Sequence, residues 1–490
     1  MSEFSVLLGN MLKNSGLSVY SLAKDIQCGR TWLQKIVSGE RHIDLKNYLT
    51  LQNILVNHVD GSSLTYLYEG FALDYFGQKE YHIISYIKRR LLEMRELSDY
   101  INKNQGKEFQ VGEYLIDYSS SPIENNERIM VSNICDILLK ELKQAQKCGN
   151  IPRLYVKIPS NWKHVKNMIL IIMEKMKIHN NDGFKYIVSS KFEKEAELSQ
   201  IENFLTAIEF ASYGYNVYKS ELSSDVQIMN DTIFPYYIIT GSRITLITDD
   251  GKAFIESEDE ELIRKISSKF EEIVSGRERF LLNINANIYN SMILDRKINE
   301  MDDFFEISNG INVSKFYTKE IMKEIMPAEF DDRELLIETL NMFYRKIRES
   351  KSSMFFNIDS IRHFMESDET QREGGFFNLN FTHEIKLNIL KDILEYYKNG
   401  DGEIRMLKNN KFLTHDDIYI FGWAEKIICT TDYLYADGNQ VNAMAVVNSP
   451  SIAKHMYNYS KYIMNSDNCL NKEASLVVLK NIIRAYELDE

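Results

Sequence analysis

The stretch from Leu17 to Arg41, LSVYSLAKDIQCGRTWLQKIVSGER, leaves the backbone few options. Ser18 can cap a helix while Leu17 staples onto Leu22, and Leu22, Ala23 and Ile26 then line one face at helical spacing. The pattern breaks at Gln27-Cys28. Gly29 can serve as the next N-cap, with Cys28 and Leu33 in the staple positions and Leu33, Ile36 and Val37 as the buried stripe. Gly39 predicts a left-handed C-cap, and Asp44 caps another helix carrying Leu45, Tyr48, Leu51 and Leu55 on one side.

Two short helices crossing steeply, with a third in support, form a helix-turn-helix whose second member can lie in the major groove of DNA. The pattern LAKDIQCGRTWLQKIVSGER followed by DLKNYLTLQNIL resembles the Cro/C1 (Xre-type) helix-turn-helix family of bacterial and phage regulators, without a gap over roughly residues 5–57. That is about a ninth of the chain. In that family the small residue matching Ala23 lets the two helices approach, and the exposed start of the second helix reads bases. The resemblance therefore implies that Arg30, Thr31, Gln34 and Trp32 face base edges, while Lys35, Ser38 and Arg41 contact phosphates. Two positions depart from the family. Gln27 stands in the turn where glycine is usual, and Gln52 where a small apolar residue is common; a non-glycine residue can take the left-handed turn at modest cost.

The residue chemistry suits that role. Arg30 can donate a bidentate pair to guanine O6 and N7, Gln34 can pair with adenine N6 and N7, and the Thr31 methyl can touch thymine. Trp32 has a second reading, as a partly buried packing residue at the helix edge. The whole segment has one too, as a small helical bundle that contacts protein.

A chain of 490 residues with a 44% hydrophobic and 26% charged composition and only 6 prolines is too well supplied with core material to be disordered or linker-dominated. Its formal charge of −13 argues against indiscriminate adhesion to nucleic acid. The charge is uneven: residues 1–58 hold six Lys and Arg against four Asp and Glu, a net of +2, which leaves −15 for the remainder. Nucleic-acid contact is therefore expected only at the N-terminal piece. Five scattered cysteines, Cys28, Cys135, Cys148, Cys429 and Cys469, form no CxxC pair and suggest neither a disulfide framework nor a structural zinc site. The N-terminal residues lack a signal-peptide pattern, and the apolar run from Met168 to Met173 is too short to span a bilayer, so a cytoplasmic protein without membrane contact is expected.

The expected fold is multidomain: an all-α helix-turn-helix domain over residues 1–60, a helical connector over 61–110, and mixed α/β lobes over 111–280 and 281–490. The polar break Asp60-Gly61-Ser62-Ser63 marks the first boundary. A single long helix is predicted from about Leu64 to Ile101, with Lys88, Arg89, Arg90 and Arg95 as its solvated face. Strands are predicted at Tyr114–Tyr118, Leu154–Ile158, Lys185–Ser189, Tyr236–Thr240, Ile244–Thr248 and Ala253–Glu256, and in the second half at Ile404–Leu407, Asp417–Phe421, Lys426–Thr430 and Ala443–Val447. The strand-helix order between residues 150 and 190 suits a parallel core, whereas the later hairpin is antiparallel. PYYIITGSRITLITDDGKAFIE and DIYIFGWAEKIICTTDYLYADG share a texture, which allows two similar lobes.

Catalytic signatures are incomplete. There is no GxxxxGK[ST] loop, and Gly400-Asp401-Gly402 ends at Arg405 where GxGxxG needs glycine. His383-Glu384 meets Leu387 where a zinc peptidase needs histidine. His164-Val165-Lys166 resembles the start of the HxKxxxxD motif of phospholipase D-like domains, but Ile171 replaces the aspartate. Asp249-Asp250-Gly251 and Asp437-Gly438-Asn439 read as hairpin turns. No catalytic residue, metal or cofactor is assigned. The expected function is a sequence-specific transcriptional regulator, not an enzyme, that binds a palindromic double-stranded operator as a homodimer, with a small-molecule, peptide or protein effector acting on the C-terminal region. Two alternatives stay open: a protein-binding adaptor or defence or conjugation switch, and an enzyme fused to a helix-turn-helix.

Overall fold

The computed structural model describes residues 2–104, 125–148, 153–158, 162–175, 184–188, 196–213, 215–219, 234–248, 253–275, 282–283, 304–308, 310–326, 328, 333–350, 352–366, 371–373, 377–379, 381–400, 402–408, 418–423, 425–434 and 440–488. The strand predicted at Tyr114–Tyr118 and the two predicted turns at Asp249-Asp250-Gly251 and Asp437-Gly438-Asn439 lie outside them. The protein combines helices with sheets, the described elements before Leu154 being helical, and among the described residues no helix is long and apolar enough to cross a membrane.

Helices α1 (Glu3–Ser15), α2 (Val19–Asp25), α3 (Arg30–Val37), α4 (Leu45–Leu55) and α5 (Gly61–Phe76) begin the chain. Ser2, Ser18, Asp44 and Asp60 cap four of them by accepting a hydrogen bond from the amide three residues on. Their shared core is aromatic. Tyr48 stacks on Phe71 with ring centroids 3.9 Å apart, and Phe4 meets both edge-on at 6.0 and 6.1 Å. Gly70 lets α1 lie directly on α5, since a Cβ there would fall 3.1 Å from the Phe4 backbone.

The single helix predicted over Leu64–Ile101 is instead two, α5 and α6 (Gln78–Lys103), parted at Gly77. Gly77 has φ +81°, which glycine adopts without a Cβ penalty. The break lets α5 pack on α1 while α6 turns away to meet later parts of the chain. The basic cluster on α6 is also not simply a solvated face. Arg90 is buried, on the stripe of Ile83, Ile87, Leu91, Met94 and Leu97. Acidic partners far along the chain make that burial tolerable.

Those partners belong to an α/β unit: α7 (Asn125–Lys147), β1 (Leu154–Lys157), α8 (Lys163–Lys175), β2 (Phe184–Val188), α9 (Ala196–Ala211), β3 (Asn216–Lys219), β4 (Tyr236–Thr240), β5 (Ile244–Ile247), β6 (Phe254–Ser257) and α10 (Glu260–Ser275). The six strands form one sheet in the order β3-β2-β1-β4-β5-β6. β1, β2 and β3 are parallel, as their helical crossovers require, and β4 to β6 continue as an antiparallel meander. Alternation along the strands sends Val156, Tyr186 and Ile238 into the main core, and Tyr155, Ile187 and Tyr237 onto Phe270 of α10.

Arg90 of α6 donates to Glu202 at 2.8 Å and to Glu209 at 3.0 Å, both on α9, and to Glu93 at 2.9 Å. Lys166 of α8 reaches the same carboxylates, Glu202 at 3.2 Å and Glu209 at 3.3 Å, and also Thr206. The Tyr86 hydroxyl donates to Glu202 at 2.7 Å. Burial would raise the Glu202 carboxyl, but the Arg90 and Lys166 cations outweigh it and hold the group down at about 2.

The rest of the chain comprises β7 (Leu282–Asn283), β8 (Phe305–Ile307), a 3₁₀ turn at Ser314–Phe316, α11 (Lys319–Ile325), α12 (Arg333–Glu349), β9 (Ser353–Phe356), α13 (Ile358–Glu366), β10 (Gln371–Glu373), β11 (Phe377–Leu379), α14 (His383–Asn399), β12 (Glu403–Met406), β13 (Ile418–Trp423), β14 (Lys426–Leu434), β15 (Gln440–Asn448), α15 (Pro450–Asn465) and α16 (Lys472–Leu488). β9 and β12 pair in parallel, and β13 to β15 form an antiparallel meander flanked by β8 and β7. α15 then returns to pack on α6, so one apolar cluster runs from Phe4 through α6 to Met456 and Tyr459.

Glu306 of β8 is fully buried 3.9 Å from Lys315, and desolvation lifts its carboxyl to about 7. A folded value above the ordinary carboxylate value means that its contribution to stability is fully present below about pH 4.5 and is lost as pH rises through about 7. Glu306→Gln should therefore flatten the pH dependence of the urea midpoint between these limits. An unchanged slope would place that dependence elsewhere.

Candidate nucleic-acid interface

The helix α3 is built with two unlike faces. Leu33 and Ile36 are completely buried underneath, and the Ser5 hydroxyl of α1 donates to the Ile36 carbonyl at 2.7 Å, fixing the roll of α3 on α1. Ala23 of α2 is buried where α2 packs on α3. On the outer side Arg30, Thr31, Gln34 and Lys35 are all exposed, and Arg41 beyond the helix is exposed as well. Arg30 and Gln34 are one turn apart, as are Thr31 and Lys35, so each pair shares a helical row.

Trp32 and Ser38 differ from the others in being half-buried. Trp32 packs against the edge of the core while the Arg41 guanidinium carbon lies 5.8 Å from its ring centroid, within cation-π range. The Ser38 hydroxyl donates to the Lys35 carbonyl at 3.1 Å and to Glu40 at 3.0 Å. Ser38 is the C-cap of α3, and Gly39 directly after it takes the left-handed conformation, at φ +78°, that ends the helix.

Gln27 carries the turn between α2 and α3 at φ +59°. Among the described residues it is the one non-glycine with positive φ. Gln27→Gly is expected to stabilise the protein by about 0.5–1 kcal/mol, because the relief of left-handed strain exceeds the added entropy of the unfolded chain. Gln27→Val should destabilise it. A urea midpoint for Gln27→Gly at or below that of the parent would count against strain at this turn.

A second set of contacts fastens the helical module to the C-terminal region. The Tyr68 hydroxyl of α5 donates to the Tyr462 carbonyl of α15, and the Thr65 hydroxyl donates to Asp467. Glu69 accepts from Tyr81 at 2.6 Å, Tyr462 at 2.7 Å and Lys88 at 2.9 Å. Burial works to raise Glu69, but these three donors hold its carboxyl below the usual range. Nearby, buried His455 of α15 lies 2.9 Å from Glu80 of α6. Sequence reasoning missed the contacts with α15, since those partners stand 375 to 394 positions apart. Arg90 did leave a local trace: an arginine at a position whose helical phase is otherwise apolar.

Of the incomplete catalytic patterns, Lys166 in His164-Val165-Lys166 is held between Glu202 and Glu209, inside a helix. Among the described residues, no three His, Cys, Asp or Glu side chains converge on a position where a metal could bind. Compared with models of known protein families and with curated proteins, the chain matches none.

Proposed function

We propose that the protein is a sequence-specific DNA-binding transcriptional regulator of the Cro/C1 type. In this reading α2 and α3 are the helix-turn-helix, α3 enters the major groove, and α1, α4 and α5 support it. The observation that carries the reading is the division of α3: Leu33 and Ile36 are locked into the core, while Arg30, Thr31 and Gln34 stand in solvent. Arginine and glutamine at one-turn spacing suit bidentate recognition of purines. Lys35 and Arg41 suit phosphates, and Trp32 serves as the platform beside Arg41.

One such module reads few bases, so a dimer on two half-sites about one helical turn apart completes the reading. The large α/β region, as two lobes of similar texture, supplies the dimer contact and senses an effector. The hydrogen bonds between α5 and α15 support the coupling, because a shift of α15 would carry the reading helix with it. The protein acts in the cytoplasm by binding, without a catalytic step. The test is selection of bound fragments from random and genomic DNA by the purified protein. Enrichment of a palindrome, with affinity falling steeply as salt rises, is expected. No enriched site, with or without cell extract, would favour a protein-binding adaptor.

A further inference from the structure

A cleft of about 910 Å³ opens on the α/β unit, between α7, the start of β1, the turn joining β4 to β5, and α10. We infer that it is a binding site for a small phosphate-bearing anion of about nucleotide size. The inference deepens the sensory part of the proposed function and rests on that reading only for the site's role as a sensor.

The charges in the cleft are the reason. Most of its carboxylates are already engaged: Glu141 accepts from Ser242, Glu258 pairs with Arg243, and Glu271 pairs with Lys185 at 2.6 Å. Glu260 sits in the first turn of α10, where the helix dipole offsets a negative charge. Apart from Arg243, its cations are less committed. Among the described residues, exposed Lys140 and Arg264 face the cleft from opposite helices with no ion pair, while Arg153 lies 5.7 Å from the centre of the Tyr155 ring and near enough to Glu271 to favour its charged form. Ser267, one turn along α10 from Arg264, is 8% exposed, and its hydroxyl lacks a hydrogen-bond partner among the described residues. Two guanidiniums, an ammonium and an orphan hydroxyl around one concavity suit the several acceptor oxygens of a phosphate group. The volume suits a small molecule, and the surrounding carboxylates oppose an extended polyanion.

Isothermal titration with pyrophosphate, in the absence of DNA, tests the assignment. Saturable binding with a Kd of about 1 mM or tighter is expected, weakened about tenfold by Arg264→Ala and by Arg153→Ala and at least threefold by Ser267→Ala. The arginines are exposed, so both variants should keep the parent's circular dichroism; Lys140→Gln provides an independent variant on the opposite helix, expected to weaken binding likewise. No saturable heat by about 10 mM, unchanged affinity in all four variants, or citrate binding tighter than pyrophosphate would overturn the inference. A failed DNA selection leaves this titration unaffected, so the two readings can fail separately.

Discussion

Arg30→Ala should lower affinity for the selected DNA site about 10- to 100-fold while changing affinity for a scrambled duplex far less. A bidentate arginine-guanine contact contributes about 1–3 kcal/mol of discrimination, and alanine leaves the guanine acceptors facing a gap. Gln34→Ala should act in the same sense at a different base pair. Lys35→Ala should behave differently, weakening both duplexes alike and lowering the salt slope by about one. Fluorescence anisotropy on both duplexes across a salt series separates the two behaviours. Equal loss on both duplexes for Arg30→Ala would reduce Arg30 to a phosphate contact and remove the argument for base reading.

The largest expected effect on stability comes from Arg90→Met. The substitution keeps much of the side-chain volume but leaves Glu202 and Glu209, each 1% exposed, sharing Lys166 as their remaining buried cation. Breaking a buried ion pair from one side costs about 3–5 kcal/mol, because the charge left behind is neither hydrated nor matched. Adding Glu202→Gln should recover part of the loss. In the parent protein Glu202 is depressed to about 2, so its stabilising contribution is present above about pH 4.5 and lost as pH falls towards 2. The deficit of Arg90→Met should shrink over that interval, as protonation removes the mismatched charge. Urea melts at several pH values measure this; a deficit that is small or independent of pH would show that water reaches the cluster.

The legible parts of the chain were those governed by near neighbours. Ser18, Gly39 and Asp44 marked helix ends because capping joins residues three or four positions apart. The strands at Leu154, Tyr236 and Ile244 were visible as short apolar runs bounded by turns. The residues assigned to the outer side of α3 came from the family resemblance; the phase set by Leu33 and Ile36 agrees for Arg30, Thr31, Gln34 and Lys35, whereas Trp32 and Ser38 are half-buried. Gly77 shows the limit of periodicity. Apolar positions at helical spacing resume beyond it at Tyr81, Ile83 and Ile84, and the packing of α5 and α6 on different partners is what shows the glycine to be a break. The cleft on α10 was invisible for a similar reason: Lys140, Arg153 and Arg264 read as ordinary surface charges until the sheet gathers them.

What the sequence by itself determined, then, is the local grammar of the N-terminal module: where its helices start and stop, and which of their faces are apolar. Only the tertiary structure decided the order of the strands, the return of α15 onto α5 and α6, and the burial of Arg90 against Glu202 and Glu209. Capping and periodicity act within a turn or two of helix, so one sequence window contains them. The cost of burying a charge depends on what arrives from elsewhere, and for Arg90 the matching carboxylates stand 112 and 119 positions along the chain.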